Sequence, residues 1–393
     1  MPEISIRRLT GDDIVRYYAP LHQYALAATP PMNLTRYEKY PAVYEESTVL
    51  GLFEGDKVVA TTLGIPMTQN VRGKIFPMVG IAGVTSDPLT RRKGYIRRLM
   101  QATHEYYYER DFPVAMLYPF RESFYERMGY VTFTHFRRVK FKTADLAPTL
   151  KMDLAGSIEY LHLRDGWDIY INFLQERQQA IHGLGLFEQE TLKMLHDLTE
   201  QWLAVARDES GAVIGVMPYK ITGYFGTFLV QSFFTANSLG RYLLLNWMAR
   251  HTDQTTEVDM KLAPTERPET WLSDLNVKAD PDIWITALGR VLDVRKLDGM
   301  TVGTGQLCIE ITDEQCAWNR GIFTLTGENG VLCVSDGGSP DCTLTIQALS
   351  ALVYGTHDPH DFQYRGWGKP SAKILAVMQQ MFPMMQPYLF NIF

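Results

Sequence analysis

VGIAGVTSDPLTRRKGYIRRL, residues 79–99, passes from an apolar segment through a short basic loop into a helical pattern. Backbone N–H groups in the first turn of a helix have no partner within the helix and lie at the positive end of its dipole, so they bind phosphate. Arg91, Arg92 and Lys93 add positive charge at this point. Gly94 lets the backbone approach a pyrophosphate without a side chain in the way. The segment predicts a strand, a phosphate-binding loop and a helix, with an ordinary basic turn before a helix as the alternative.

Strand and helix patterns alternate on both sides of this loop, up to residue 141. Glu54-Gly55-Asp56 lies between two apolar runs, which is typical of a hairpin. We predict strands at 4–9, 49–53, 57–64, 78–85 and 114–118, one or two closing strands within 130–141, and helices at 12–27, 35–46, 94–110 and 122–128. This order predicts a mixed α+β fold for the first part of the chain.

A second motif, SFYERMGY at residues 123–130, follows the helix and the next predicted strand. It resembles the F-Y-x-x-x-G-[FY] segment of GNAT N-acetyltransferases, and the loop at Arg91–Gly94 resembles their acetyl-CoA loop, [QR]-x-x-G-x-[GA]. Either motif alone is weak, whereas the two in this order are specific and outweigh the basic-turn alternative. Ile96 departs from the last position of the loop pattern. With the tandem arginines and a three-part chain of 393 residues, this departure resembles the Eis-type (enhanced intracellular survival) acetyltransferases.

For the whole chain, the resemblance implies an α+β protein of three parts. These are a GNAT acetyltransferase domain at residues 1–148, a second GNAT-like domain without the cofactor loop at 149–290, and a sterol-carrier-like α+β domain at 291–393. DCTLTIQALSALVYG, residues 341–355, fits the last assignment.

A weak internal repeat supports the second part. The strand, turn and strand pattern of residues 49–64 recurs at 202–219, and the next strand and helix recur at 227–234 and 239–250. Where the first copy has its dense basic run, the second offers only Arg241. We expect the second copy to have kept the fold and lost the cofactor.

The resemblance also implies that acetyl-CoA is the co-substrate, because in the family it lies along the fourth strand and the following loop. The implied contacts are Val84, Thr85 and Ser86 on the strand, Arg91, Arg92, Lys93, Gly94, Tyr95, Ile96 and Arg97 in the loop and first helical turns, and Phe120 and Arg121 at the pantetheine and acetyl end.

Acetyl transfer to an amine needs a polarised thioester carbonyl, a deprotonated amine and a proton for the departing thiolate. If the strand splays near Val84, its backbone N–H groups would stabilise the developing oxyanion. Tyr125 matches the position of the family's general acid, where a phenol protonates the coenzyme A sulfur. The structural alternative for Tyr125 is a core aromatic residue on a short amphipathic helix.

The chain after Lys373 contains no charged side chain, so the carboxylate of Phe393 is the one formal charge in an apolar tail. Such a tail tends to be buried. Pro383 and Pro387 stop a helix and favour an extended last stretch. Burial raises the pKa of a carboxylate above its usual value of about 3.5, which makes it a better base. In Eis-type enzymes the terminal carboxylate is the proposed general base, and Phe393 matches that position; a merely packed or frayed tail is the alternative.

Composition limits the possible partners. The chain is 46% hydrophobic and 21% charged, which is typical of a well-packed globular protein. Its net charge of −6 provides no general attraction to nucleic acid or anionic membranes. It shows neither the apolar core of a signal peptide nor a run long enough to span a membrane. We therefore expect a cytoplasmic protein without nucleic-acid or membrane partners.

No metal site is expected. Pro359 separates His357 from His360 and removes the regular helix that would aim both imidazoles alike, so these residues are predicted to form a polar loop. The cysteines form no C-x-x-C pair and are predicted to be buried reduced thiols: Cys308, Cys316, Cys333 and Cys342.

Two functions remain at this point. The first is an amine acetyltransferase acting on a small-molecule amine, such as an aminoglycoside-type polyamine, or on a lysine amine, and the family resemblance implies a homo-oligomer, specifically a hexamer. The alternative is a carrier or binding protein for an apolar ligand, with a vestigial or regulatory acetyl-CoA site. An intact loop together with Tyr125 favours the enzyme.

Overall fold

The computed structural model describes residues 3–26, 29–279 and 286–393, and the chain divides into two compact units. Unit 1 comprises Met1–Phe133, His182–Met194 and Ala287–Phe393, and unit 2 comprises Thr134–Ile181 and Leu195–Thr286. The predicted division of the chain near residues 148 and 290 stays a prediction, since compactness groups residues 287–393 with unit 1.

The strands are numbered in chain order. They are β1 Ile4–Leu9, β2 Thr48–Glu54, β3 Lys57–Val71, β4 Lys74–Ser86, β5 Val114–Leu117, β6 Val131–Thr132, β7 Arg137–Lys142, β8 Gly156–His162, β9 Gly185–Phe187, β10 Trp202–Asp208, β11 Val213–Ile221, β12 Gly226–Val230, β13 Phe234–Thr235, β14 Thr255–Leu262, β15 Lys278–Ala279, β16 Leu288–Val291, β17 Gly305–Thr312, β18 Gly321–Glu328, β19 Val331–Asp336 and β20 Cys342–Thr345.

The α-helices are α1 Ala19–Ala25, α2 Thr35–Lys39, α3 Pro41–Glu46, α4 Tyr95–Tyr108, α5 Glu122–Glu126, α6 Trp167–Ala180, α7 Gln189–Leu198, α8 Ser238–Ala249, α9 Ile346–Tyr354, α10 Phe362–Arg365 and α11 Ala372–Met381. A π-helical turn, Ile14–Tyr18, precedes α1. Short 3₁₀ helices lie at Pro88–Thr90, Thr143–Lys151, Pro268–Thr270, Val294–Lys296, Ala317–Asn319 and Pro359–Asp361.

Unit 1 contains a mixed sheet in the order β1-β2-β3-β4-β5-β16-β6, with β9 paired to β3. Strands β1 to β4 are antiparallel, and β5 runs parallel to β4 after the crossover helix α4. Leu99, Thr103 and Tyr107 of α4 are buried, and their four-residue spacing places them on one face of the helix. Helix α4 therefore covers one face of the sheet.

Unit 1 also contains a four-stranded sheet, β19-β18-β17-β20, built from its last segment. Helix α9 follows β20, and every residue from Ile346 to Tyr354 except Gln347 is buried. Arg290 of β16 is fully buried, and its Nη2 lies 2.5 Å from Asp313 Oδ2, so the buried charge is paired. The strand that carries this arginine lies between β5 and β6.

Unit 2 contains a sheet in the order β15-β7-β14-β12-β11-β10-β8, with β13 paired to β11. Strands β8, β10, β11 and β12 are antiparallel, and β14 runs parallel to β12 after helix α8. This is the same order of strand directions and crossover helix as β1-β2-β3-β4-α4-β5 in unit 1. The internal repeat inferred from the sequence is therefore present in the topology.

Most of the predicted elements form, with local differences. The predicted helix 35–46 is broken at Tyr40, before Pro41, because the residue before a proline disfavours the helical conformation. The predicted helix end at Ala27 lies outside the described residues. Of the one or two strands predicted within 130–141, two form. They are β6 in unit 1 and β7 in unit 2, and the apolar pattern did not show that they join different sheets. None of the strands β8, β9, β14, β15 and β16 and neither of the helices α6 and α7 was predicted from the sequence.

The predicted mixed α+β fold class is confirmed by both sheets and their helices. No helix within residues 3–26, 29–279 or 286–393 combines the length and apolar content needed to cross a bilayer.

Candidate active site

Strands β4 and β5 separate where the predicted site begins. Residues Met78–Ile81 of β4 pair in parallel with Val114–Leu117, and β4 then continues to Ser86 while paired with β3. The carboxyl ends of parallel strands that part in this way form a crevice, which is a common position for ligands in α/β sheets. The pairing ends at Leu117, where β5 itself ends, so the splayed strand expected near Val84 stays a prediction.

Gly83 and Val84 lie at a bulge in β4. The register between β3 and β4 shifts between Thr61 and Leu63, so two residues of β4 face one residue of β3. Gly83 has a φ of +53°, in the left-handed region that favours glycine. A bulge takes one residue out of the hydrogen-bonded ladder and changes the direction of its backbone groups. This is the place where N–H groups near Val84 are expected to meet the thioester oxygen.

The helix that follows the basic loop begins without a side-chain cap. Gly94 precedes its first residue, Tyr95, and has a φ of +80°. A Cβ added to Gly94 would meet no heavy atom of the described residues within 4 Å, so the space above it is open. Arg91 and Arg92 are exposed and form no ion pair with any part of the chain that the structure describes, and Arg97 is exposed one turn later. The loop therefore presents open N–H groups and uncompensated positive charge together.

Lys93 and Tyr95 share a partner that the sequence did not suggest. The Lys93 Nζ atom lies 2.7 Å from Glu54 Oε1, and the Tyr95 hydroxyl donates to the same oxygen. These hydrogen bonds lower the pKa of the Glu54 carboxyl and raise the pKa of Lys93. The charge of Lys93 is partly balanced, so Lys93 is expected to attract an anion less strongly than Arg91 or Arg92.

The remaining cofactor-contact predictions lie along the same path. Thr85 is buried, and its hydroxyl lies 2.7 Å from that of Thr61, whereas Val84, Ser86 and Ile96 are half-buried. Phe120 is 73% exposed although its ring contacts that of Tyr125, with centroids 5.8 Å apart. Arg121 is exposed and immediately precedes α5. The Phe120 ring, exposed beside Tyr125, is available for contact with the pantetheine chain that is predicted to bind there.

Tyr125 lies on α5 and is 3% exposed. It packs in one apolar cluster with Val79 and Ile81 of β4 and with Met100 of α4. Burial raises the pKa of the Tyr125 hydroxyl well above its ordinary value, so the phenol stays protonated at neutral pH. Tyr125 is thus a core aromatic residue on a short helix, packed against the strand that carries the bulge, and its catalytic role stays a prediction.

The tail is fixed to unit 1 at several points. Helix α11 ends at Met381, and residues 383–393 form neither helix nor strand. The Arg72 guanidinium is buried at the turn between β3 and β4 and donates to the carbonyl oxygen of Pro383 at 2.9 Å. The Asn391 side-chain amide donates to the carbonyl oxygen of Gly185 in β9 at 3.0 Å. The tail is therefore an ordered part of the unit.

The last residues lie against β4. The Tyr118 hydroxyl donates to the carbonyl oxygen of Leu389 at 3.1 Å, and the Tyr118 ring lies 5.5 Å from the Phe393 ring. A Cβ added to Gly80 would lie 3.0 Å from the Phe393 ring. The centroids of the Phe187 and Phe393 rings are 6.2 Å apart. The Phe393 ring thus packs against β4 at Gly80, three residues before Gly83.

Three features of this site were missed from the sequence: the bulge at Gly83, the Glu54 carboxylate and the Arg72 guanidinium. A glycine inside an apolar strand pattern often marks a bulge, so Gly83 carried a usable signal. Glu54 and Arg72 carried none, because both act on residues that lie far away in sequence.

The predictions for the other candidates have mixed outcomes. The four cysteines are free thiols, but the prediction that all are buried is wrong, because Cys333 is exposed on β19 at the edge of its sheet and Cys342 is half-buried. His357 packs on the Trp367 ring, while His360 Nδ1 lies 2.8 Å from Asp358 Oδ1. The described part of the chain contains no group of three His, Cys, Asp or Glu side chains that could hold a metal ion.

Two family models match the chain. Residues 5–133 match the acetyltransferase (GNAT) domain, and residues 289–390 match the sterol carrier protein domain. Residues 5–133 form a GNAT acetyltransferase domain. The chain is accordingly an N-acetyltransferase, and the predicted enzyme class and the sterol-carrier-like part of the predicted fold are confirmed.

Relatives and solved structures agree with this assignment. An uncharacterized N-acetyltransferase of Streptomyces avermitilis is 25% identical over 334 residues, 78% of each chain, and one of Streptomyces griseus is 25% identical over 384 residues, 90% of each chain. A GCN5-related N-acetyltransferase from Anabaena variabilis has the same fold, with a TM-score of 0.86 at 19% identity over 100% of both chains. Eis1 from Mycobacterium abscessus has a TM-score of 0.80 at 18% identity, covering 99% of this chain and 100% of its own.

Proposed function

We propose that this N-acetyltransferase transfers the acetyl group of acetyl-CoA directly to an amine, with Tyr125 as general acid and the Phe393 carboxylate as general base. The observation that carries the proposal is the position of the Phe393 ring on Gly80 of β4, three positions before the bulge at Gly83. The mechanism belongs with the Eis-type acetyltransferases that the sequence resembles.

The loop residues fit the phosphates of a coenzyme A donor. The uncapped first turn of α4 after Gly94 supplies N–H donors, and Arg91 and Arg92 supply charge without an internal partner. Lys93 contributes less because Glu54 pairs with it. The exposed Phe120 ring gives the pantetheine arm an apolar surface beside Tyr125.

The reaction has four events. The Phe393 carboxylate accepts a proton from the ammonium form of the acceptor, and the amine nitrogen then forms a bond to the acetyl carbon. Backbone N–H groups at the Val84 bulge stabilise negative charge on the thioester oxygen. The carbon–sulfur bond breaks, and Tyr125 gives its proton to the sulfur. The acetylated nitrogen then loses its second proton, which replaces the one given up by Tyr125, and Phe393 releases its proton to solvent. The products are the acetylated amine and the coenzyme A thiol.

Two carboxylates that interact with each other, those of Glu188 and Glu46, bear on the choice of acceptor. Glu188 directly follows Phe187, whose ring lies near Phe393. Burial raises the pKa of the Glu188 carboxyl, and the charge of Glu46 raises it further. A second positive group on the acceptor would offset this repulsion. Aminoglycoside-type polyamines and lysine amines are therefore the acceptors we propose.

We further propose that the enzyme acts in the cytoplasm as a homo-hexamer. Sedimentation velocity at micromolar concentration is expected to show one species of six chains. A monomer under these conditions would exclude the hexamer without affecting the proposed chemistry.

The direct test compares two semisynthetic proteins that differ only in their last group, a free carboxylate and an amide on Phe393. The amide is expected to bind acetyl-CoA normally and to lose about 10²- to 10⁴-fold in turnover, which is the contribution of one acid–base group. Turnover is measured as thiol release with a polyamine and with a lysine peptide. Equal turnover of the two proteins would exclude the terminal carboxylate as the base.

Comparison of the amide with Phe393→Leu separates the effect of losing the terminal charge from the effect of losing the packing of the ring. Phe393→Leu keeps the carboxylate and much of the apolar volume, so its turnover is expected to stay far closer to the wild type than that of the amide.

Tyr125→Phe is expected to lower turnover and to leave the dissociation constant of acetyl-CoA unchanged, because its hydroxyl acts as the thiolate leaves. Full activity of Tyr125→Phe would exclude Tyr125 as the acid.

A further inference from the structure

Tyr18 is a buried tyrosine whose hydroxyl the mechanism above does not use. Its side chain is fully buried, and its hydroxyl finds no hydrogen-bond partner among the described residues. Burying a hydroxyl without a hydrogen-bond partner is energetically unfavourable. Tyr18 lies at the end of a π-helical turn. We therefore expect its hydroxyl to hydrogen-bond to a group that is not part of the folded chain.

The hydroxyl is directed at the bulge in β4. A Cβ added to Gly83 would lie 2.4 Å from the Tyr18 hydroxyl oxygen and 3.1 Å from its Cζ atom. Glycine is thus required at position 83 for space as well as for its φ of +53°. The Tyr18 hydroxyl occupies the space directly over the bulge, next to Val84.

The Tyr18 ring is held in place by three other rings. It stacks on His22 with centroids 5.0 Å apart and planes 13° apart, and it meets the rings of Tyr37 and Tyr44 at 6.0 and 5.9 Å. His22 Nδ1 lies 2.8 Å from the Tyr37 hydroxyl, which links two of these rings. The cluster therefore fixes the direction of the Tyr18 hydroxyl before any ligand binds.

The protonation states agree with a donor role. Burial raises the pKa of the Tyr18 hydroxyl well above its ordinary value, so the phenol keeps its proton at neutral pH. Burial, with the charge of Arg36, lowers the pKa of His22 to about 4, so the stacked imidazole is neutral. A neutral phenol beside a neutral imidazole can donate a hydrogen bond at no cost in charge.

We propose that Tyr18 is a catalytic residue whose hydroxyl donates a hydrogen bond to the thioester carbonyl oxygen of acetyl-CoA at the Gly83–Val84 bulge. This role rests on the proposed acetyl transfer, and it adds a side-chain donor to the backbone N–H groups of the bulge. No proton is transferred by Tyr18, because Tyr125 protonates the sulfur. The hydrogen bond strengthens as negative charge develops on the oxygen, which is what lowers the barrier.

The first test is Tyr18→Phe, with Tyr44→Phe as the matched control from the same ring cluster. Removal of one oxyanion donor is expected to lower turnover by about 10²- to 10³-fold, with little change in the dissociation constant of acetyl-CoA. Tyr44→Phe removes a hydroxyl from the same cluster and is expected to keep turnover within about threefold of the wild type. Equal, small effects of both substitutions would contradict the proposal.

The second test observes the carbonyl directly. The infrared stretch of acetyl-CoA labelled with ¹³C at the carbonyl is expected to shift to lower frequency on binding to the wild type. Part of this shift should be lost in Tyr18→Phe and kept in Tyr44→Phe, which a purely structural role of Tyr18 would not produce. An identical shift in the wild type and Tyr18→Phe would overturn the proposal.

If Tyr18→Phe does not fold, replacement of Tyr18 by 3-fluorotyrosine keeps the ring and the hydroxyl. The more acidic phenol should lower the carbonyl frequency further, and an unchanged frequency would overturn the proposal. Failure of the wild type to bind acetyl-CoA would overturn both the Tyr18 role and the proposed function. Binding and transfer by the wild type with no effect at position 18 would overturn the Tyr18 role alone.

Discussion

The helix that follows the basic loop in unit 1 and its counterpart in unit 2 begin in different ways. Helix α4 starts after Gly94 with no side-chain cap, whereas the Asn237 side chain accepts a hydrogen bond from the Gly240 N–H at the start of α8. A cap satisfies one of the N–H groups that a phosphate would otherwise bind. In the second copy a side chain of the chain itself therefore occupies an N–H group at the helix start, whereas in the first copy no side chain of the described residues does so.

The space at the two helix starts differs in the same sense. A Cβ added to Gly94 would meet no heavy atom of the described residues within 4 Å, whereas one added to Gly240 would lie 2.2 Å from the carbonyl oxygen of Ile214. Gly94 is a glycine because of its φ of +80°, and Gly240 is a glycine because a strand packs against it. The same residue type thus opens one site and closes the other.

The charges complete the contrast. Arg91 and Arg92 form no ion pair within the described part of the chain, whereas Arg241 lies 3.5 Å from Glu266 in unit 2. The two copies share the order of strands and helices, so this order alone does not distinguish them. We propose that an uncapped helix start, an open glycine and an unpaired cation together form the phosphate site of the first copy.

The largest expected effect is on the unpaired arginine of the first copy. Arg92→Glu is expected to weaken acetyl-CoA binding by roughly 10- to 100-fold, because a charge-assisted contact to phosphate becomes a repulsion. Arg241→Glu is the matched control in unit 2 and should leave the affinity unchanged. The measurement is the dissociation constant from titration calorimetry, and equal effects of the two reversals would remove the distinction between the copies.

A smaller effect is expected at the capped helix. Asn237→Ala removes the side-chain cap of α8 and should lower the free energy of unfolding by about 1 kcal/mol. Chemical denaturation measures this loss. Acetyl-CoA affinity should not change, and a weaker affinity in this variant would mean that the second copy takes part in donor binding.

The smallest expected effect is at Lys93, whose charge is shared with Glu54. Lys93→Ala should change the dissociation constant of acetyl-CoA by less than about threefold, because an exposed pair of this kind contributes little. A loss as large as that of Arg92→Glu would show that Lys93 leaves Glu54 when the donor binds.

The sequence predicts the loop and Tyr125 because their chemistry is carried by short contiguous runs, residues 91–97 and 123–130. It predicts a buried tail because the segment after Lys373 has no charged side chain. In each case the signal is local. The order of the elements then places the loop after β4 and Tyr125 on α5, but it does not place the tail.

Pairings between distant residues could not be predicted in this way. The alternation of apolar residues marks β7 as a strand, but it does not show that β7 joins unit 2 and that β16 lies between β5 and β6. The contact of Arg72 with Pro383 joins a hairpin turn to the tail across most of unit 1 in sequence. Such contacts depend on the assembled sheet, because no property of either segment alone selects the partner.

The most direct test of the account is a calorimetric titration of the wild-type protein with acetyl-CoA. One binding site per chain is expected, with its affinity reduced in Arg92→Glu and preserved in Arg241→Glu. Two outcomes would contradict the claim that β4, the basic loop and α4 alone hold the donor. One is two sites per chain, and the other is a single site that Arg241→Glu weakens and Arg92→Glu does not.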